Sequence, residues 1–197
     1  MAVIVATYTS IQVVGQHTIG LDDTLADLFV LVPDSMNPFF LLVTELGDKK
    51  GIYLVAIFAL GWLLMKRNLV GAAAIILSVA LGNEMNKLLK DLIARPRPDL
   101  EHLAPVNSNS FPSGHAMVGF IVYFFLAYLI IEEVRTKSRK VIVALLAGLL
   151  LLLIGASRII LNVHYPSDVI GGYAFGYIWV FIWILLYQYF KKKFKKS

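Results

Sequence analysis

Long apolar stretches broken by short charged ones set the pattern of this chain. Uncharged runs occupy 1–16, 51–65, 68–83, 116–131, 141–157 and 169–190. A helix needs about 20 apolar residues to cross a bilayer, so most of these runs are a few residues short. Extending each into its polar flank supplies the length, because Lys and Arg there can snorkel to the headgroups. The five runs between 51 and 190 therefore predict transmembrane helices. The first run contains Thr, Ser and Gln and has no basic lead. It predicts a sixth helix, full or truncated, and suits a signal peptide poorly. Between these runs, "LDDTLADLFVLV" (21–32) places Leu21, Leu25, Leu28, Phe29 and Val32 at helical spacing. That pattern predicts an amphipathic helix lying at the interface. No internal repeat stands out. The expected architecture is an all-α, polytopic helical bundle of five to six spans, forming one domain over 1–197.

Composition narrows the class. Of 197 residues 58% are hydrophobic and only 16% charged, with mean hydropathy +0.74. Soluble domains carry about a quarter charged residues. With no cysteine, disulfides and thiolate metal sites are excluded. The net charge of +5 is concentrated in tracts that abut apolar runs, such as "KKKFKK" at 191–196. Such tracts mark membrane flanks, so the expected partner is the bilayer and not nucleic acid. Alternating helices put Lys66, Arg67, the 135–140 hinge and the 191–196 tract on one side, eleven basic residues in all. The positive-inside tendency makes that side cytoplasmic. Segments 15–50, 84–115 and 158–168 then face outward, yet they hold Lys90, Arg95, Arg97 and Arg158. Cations on that side need another reason to be there.

Three motifs supply one. In "KDLIARPRP", Pro96 disfavours helix beyond about Ala94, so Lys90 ends a helix and Arg97 folds back from the loop. In "FPSGHAM", Ser113 or Gly114 suits an N-cap, and the unpaired first-turn amides make an anion site with His115 at its mouth. In "SRIILNVHYPSD", Arg158 closes one helix and Pro166 opens the next. His164 and Asp168 there make a pair in which the carboxylate would fix the imidazole's tautomer and raise its basicity. Each motif alone has a plain structural reading: snorkelling cations, an ordinary cap, a capping Asp beside a His. Together they put three cations, oriented amides, two histidines and a carboxylate on one face. That set suits a tetrahedral oxyanion and phosphoryl transfer. No HExxH, acidic cluster or Walker loop is present, so neither metal nor cofactor is expected.

These motifs resemble the signature of the type-2 phosphatidic acid phosphatase superfamily, whose fold and site are shared with vanadium haloperoxidases. That signature runs Lys, six residues, Arg-Pro; then Pro-Ser-Gly-His; then Ser-Arg, five residues, His, three residues, Asp. Lys90 with Arg97-Pro98, Pro112 to His115, and Ser157-Arg158 with His164 and Asp168 match every position within 90–168. The resemblance covers about 50–190 and makes no claim for the first fifty residues. It implies that Lys90, Arg97 and Arg158 bind phosphoryl oxygens, helped by Ser113 and the Gly114 amide. It implies that His164, oriented by Asp168, attacks phosphorus to form a phosphohistidine, and that His115 protonates the leaving oxygen. The implied enzyme is a metal-independent lipid phosphatase of a bacterial cell membrane, its site on the extracytoplasmic face. Phosphatidylglycerophosphate and undecaprenyl diphosphate are expected substrates, with phosphatidic acid or broad specificity as the alternative. A vanadate-dependent haloperoxidase is disfavoured by the hydropathy. A non-catalytic lipid-binding or transport protein is disfavoured by the intact His115, His164 and Asp168.

Overall fold

The computed structural model describes residues 1–14 and 19–195. Residues 15–16 of the first predicted run, and Lys196 of the basic tract, lie outside the described residues. Among the described residues there is no strand. The helices are α1 (Ala2–Val13), α2 (Gly20–Val30), α3 (Asn37–Glu45), α4 (Lys49–Met65), α5 (Leu69–Ile93), α6 (Gly114–Glu133), α7 (Lys137–Ile160) and α8 (Pro166–Lys195). A 3₁₀ turn at Asp34–Met36 precedes α3.

Helices α5 to α8 are each long and apolar enough to cross a membrane. Helix α4, the fifth predicted span, has 17 residues, at the short end of the spanning range. Helix α1 has 12 and is about 18 Å long, short of a full crossing. It packs along α8 instead. Helices α2 and α3 form an apolar pair bent by 85°, with the length and composition of a broken span or a re-entrant loop. Helix α2 forms near the predicted place, but Leu21 and Leu28 are exposed while Asp22 is buried. Its inward side is marked by a carboxylate, not by its leucines.

Helix α6 is the axis of the bundle. Within its apolar window 56% lies buried, against 22% for α7, which turns leucines outward. Ile121, Val122, Phe125 and Leu129 of α6 pack with Ile75 and Leu63, and with Val180 and Tyr187 of α8. Helix α8 approaches α6 closely at Gly172 and Gly176, one turn apart. A Cβ at Gly172 would come 2.8 Å from the Ser113 carbonyl, and one at Gly176 2.8 Å from the Met117 carbonyl. Small residues let helix backbones meet this way. The contact fixes the start of α6 against the start of α8. At the other end of the bundle, Lys66 pairs with Glu133 (3.6 Å) and Lys191 with Glu132 (2.8 Å), gathering the basic flanks on one face.

Candidate active site

Helix α5 stops where the sequence requires it. Ala94 takes the left-handed conformation (φ 50°), and Pro96 lacks an amide to continue. Lys90 is thereby held in the last turn, its Nζ donating to the carbonyls of Asn109 and Ser110. Arg97 folds back as predicted. Its Nε donates to Ser108 O (2.8 Å) and its Nη1 to Val163 O (2.5 Å), joining the α5–α6 and α7–α8 loops. Arg158, in the last turn of α7, donates from Nη1 to Thr44 Oγ1 of α3 (2.6 Å). Its Nε is the one buried side-chain polar atom without a partner among the described residues. A buried N–H left unmatched beside a cavity is a place for an anion. Lys90, Arg97 and Arg158 all line a cavity of about 520 Å³, with Gly114, His115 and His164.

His164 precedes α8 and its Nδ1 lies 3.2 Å from Asp168 Oδ2. Its Nε2 is 3.3 Å from Arg97 Nη1, a group that can only donate. The consistent tautomer carries the proton on Nδ1 and leaves Nε2 unprotonated, its lone pair accepting from Arg97. Burial pushes His164 down to about 3; Asp168 opposes this, while Arg97 and Lys90 add to it. The expected rise in basicity beside Asp168 is thus outweighed by desolvation and two cations. At neutral pH the ring is uncharged, as a nitrogen nucleophile must be.

Ser113 is the N-cap of α6, its Oγ accepting from Ala116 N (3.4 Å). It is fully buried and does not line the cavity. Gly114 does line it. A Cβ there would lie 3.1 Å from Asn86 Oδ1, and Asn86 Nδ2 donates to Pro112 O (3.2 Å), so α5 braces the Pro-Ser-Gly-His turn. Asp168 sits behind His164 and is fully buried. The sequence reading missed its other partners. Oδ2 also accepts from Ser110 Oγ (2.5 Å) and Tyr165 N (2.9 Å), and Oδ1 from Arg95 Nη1 (2.5 Å). Arg95 was visible as a cation on the unexpected side; Ser110 carried no local signal. The first fifty residues also reach the site: Thr44 holds Arg158, Gly47 backs His115, and Asp22 pairs with Arg95.

A profile of the PAP2 superfamily matches residues 71–193, most of the chain and all three motifs. The chain belongs to the PAP2 superfamily. It is 32% identical over 160 residues to phosphatidylglycerophosphatase B of Bacillus subtilis (strain 168), covering 79% of this chain and 77% of that one. It is 33% identical over 114 residues to the lipid A 1-phosphatase of Rhizobium johnstonii, covering 53% of this chain and 43% of that one. The crystal structure of the transmembrane PAP2-type phosphatidylglycerolphosphate phosphatase from Bacillus subtilis superposes with a TM-score of 0.82. That match has 27% identity over 98% of this chain and 96% of that one. Four long apolar helices in a PAP2 fold make this a multi-pass membrane protein.

Proposed function

We propose that this PAP2 membrane phosphatase removes a terminal phosphate from a phosphorylated lipid through a phosphohistidine at His164, without a metal. The observation that supports it best is the uncharged His164 Nε2 facing a cavity lined by Lys90, Arg97 and Arg158. The cations and the Gly114 amide hold the phosphoryl oxygens and neutralise their charge. The His164 Nε2 lone pair forms a bond to phosphorus as the bond to the lipid oxygen breaks, and a proton from His115 goes to that oxygen. Water then attacks the phosphohistidine, giving its proton to His115. Inorganic phosphate leaves and His164 is restored. Phosphatidylglycerophosphate is the first substrate to test, because the Bacillus subtilis relative is named for it. Undecaprenyl diphosphate is second. The likeness to a lipid A 1-phosphatase favours lipid A 1-phosphate as a further arm. The site is assigned to the extracytoplasmic face of a bacterial cell membrane, opposite the basic flanks, with all of 1–197 acting as one domain.

The test is kcat/KM for His164→Ala and His115→Ala on a lipid monoester, a lipid diphosphate and nitrophenyl phosphate, with and without EDTA. His164→Ala should fail on all three. His115→Ala should lose about a hundredfold or more on the monoester, whose alkoxide needs protonation, and less on the better leaving groups. Turnover by His164→Ala would overturn the nucleophile. Loss in EDTA with rescue by a divalent ion would overturn the metal-free mechanism.

A further inference from the structure

Behind His164 lies a buried chain of charges that no motif of the sequence connects. Asp168 Oδ1 accepts from Arg95 Nη1 (2.5 Å), and Arg95 Nη2 donates to Asp22 Oδ2 of α2 (2.7 Å). All three side chains are at most 2% exposed. The Arg95 guanidinium also lies 4.0 Å from the centre of the Tyr165 ring and bonds Ser167 Oγ (2.8 Å). The other Asp22 oxygen accepts from Ser167 N in the first turn of α8 (2.8 Å). Asp22 thus touches neither the cavity nor His164 and is 145 residues from the helix it holds.

We propose that Asp22 and Arg95 are positioning residues for the phosphoryl-transfer step, and that Asp22 keeps one net negative charge behind His164. The idea rests on His164 being the nucleophile. Arg95 fixes Asp168 by its second oxygen, so the carboxylate cannot rotate away from Nδ1. Taken alone, though, Arg95 would cancel the charge of Asp168. With Asp22 added, two carboxylates face one guanidinium and one negative charge remains. That charge matters when Nε2 bonds to phosphorus, because the ring keeps its Nδ1 proton and becomes a cationic phosphoimidazolium. Counted over Asp22, Arg95, Asp168 and His164 alone, the group carries one negative charge before the step and none after it. A buried ion pair retained only for packing would need no third member.

The experiment is a double-mutant cycle on the full chain in detergent. Asp22→Asn leaves a neutral cluster and should lower kcat about tenfold, the order expected for one charge lost near a reacting centre. KM should stay within about twofold, because the phosphate cradle is untouched. Arg95→Lys keeps the charge and should retain more kcat than Arg95→Gln. Asp22→Asn with Arg95→Gln restores one net negative charge, so the double variant should exceed Asp22→Asn alone in kcat. A purely structural role predicts the reverse, with losses that add. Wild-type kcat in Asp22→Asn, or a loss confined to KM, overturns the proposal. If Asp22→Asn does not fold, Asp22→Ser carries the same expectation without presenting an amide to Arg95. His164→Ala is measured alongside. If it is inert while Asp22→Asn is unimpaired, only the role of Asp22 falls; if it turns over, the nucleophile falls first.

Discussion

At the scale of single residues, the site depends on contacts that leave no room and on burial that alters charge. Gly47 lies in the turn between α3 and α4. A Cβ there would come 2.7 Å from Ile154 Cγ2 and 2.9 Å from His115 Cδ2. Ile154 is fully buried, so His115 is the freer of the two to move. Gly47→Ala should therefore lower kcat on a lipid monoester by about tenfold or more, and by less on nitrophenyl phosphate. An equal loss on both substrates would separate Gly47 from the acid. His164 offers a second check, through pH. Its folded value of about 3 lies below the usual 6.5, so below pH 6.5 the unfolded chain takes up a proton that the folded one resists. Its contribution is complete above 6.5 and is lost as pH falls toward 3, by at most about 1.4 kcal/mol per pH unit. Wild-type thermal midpoints in detergent should fall relative to His164→Gln between pH 6.5 and 4. Parallel curves would mean the imidazole is not shielded.

At the scale of elements, the α6–α8 contact holds the two histidines in register, since one precedes α8 and the other opens α6. Ser113 N donates to Asp168 O (3.0 Å) across that contact. Gly172→Leu would drive a side chain into the Ser113 carbonyl and the Ala116 methyl. Overpacking of this kind costs about 1–3 kcal/mol, and here the shift falls on the cap of α6. The expected result is a lower thermal midpoint together with a larger loss of kcat than Leu substituted at the exposed Tyr177 produces. Much of this arrangement was legible in the chain. The spans from α5 to α8, the break before Pro96, the cap at Ser113 and the start at Pro166 follow from local patterns, and local patterns are what periodicity reads. What was not legible is long-range. Ser110 and Arg95 have no spacing that marks them, and Asp22 finds Arg95 only after the whole bundle has closed. The fall in His164 basicity was missed for a related reason: the Asp168 neighbour is visible in sequence, but the burial that outweighs it is not.

At the scale of the whole molecule, the distribution of charge predicts an orientation that can be tested. Lys66 and Lys191 meet Glu133 and Glu132 at one end of the bundle, while Lys90, Arg97 and Arg158 converge at the other. Flanking Lys and Arg favour the cytoplasmic side, whereas the cavity's cations face its interior and are held by protein carbonyls and Thr44. The two sets are therefore not equivalent, and only the first should direct insertion. Asn107 lines the cavity mouth on the loop between α5 and α6, and Arg139 lies in the first turn of α7 at the opposite end. The chain has no cysteine, so one introduced thiol reports alone. In intact cells, Asn107→Cys should react with an impermeant maleimide added from outside, and Arg139→Cys should react only after permeabilisation. The reverse pattern would place the cavity on the cytoplasmic face, where it would meet inner-leaflet lipids. Every assignment of an outward-facing substrate headgroup would then have to be turned over with it.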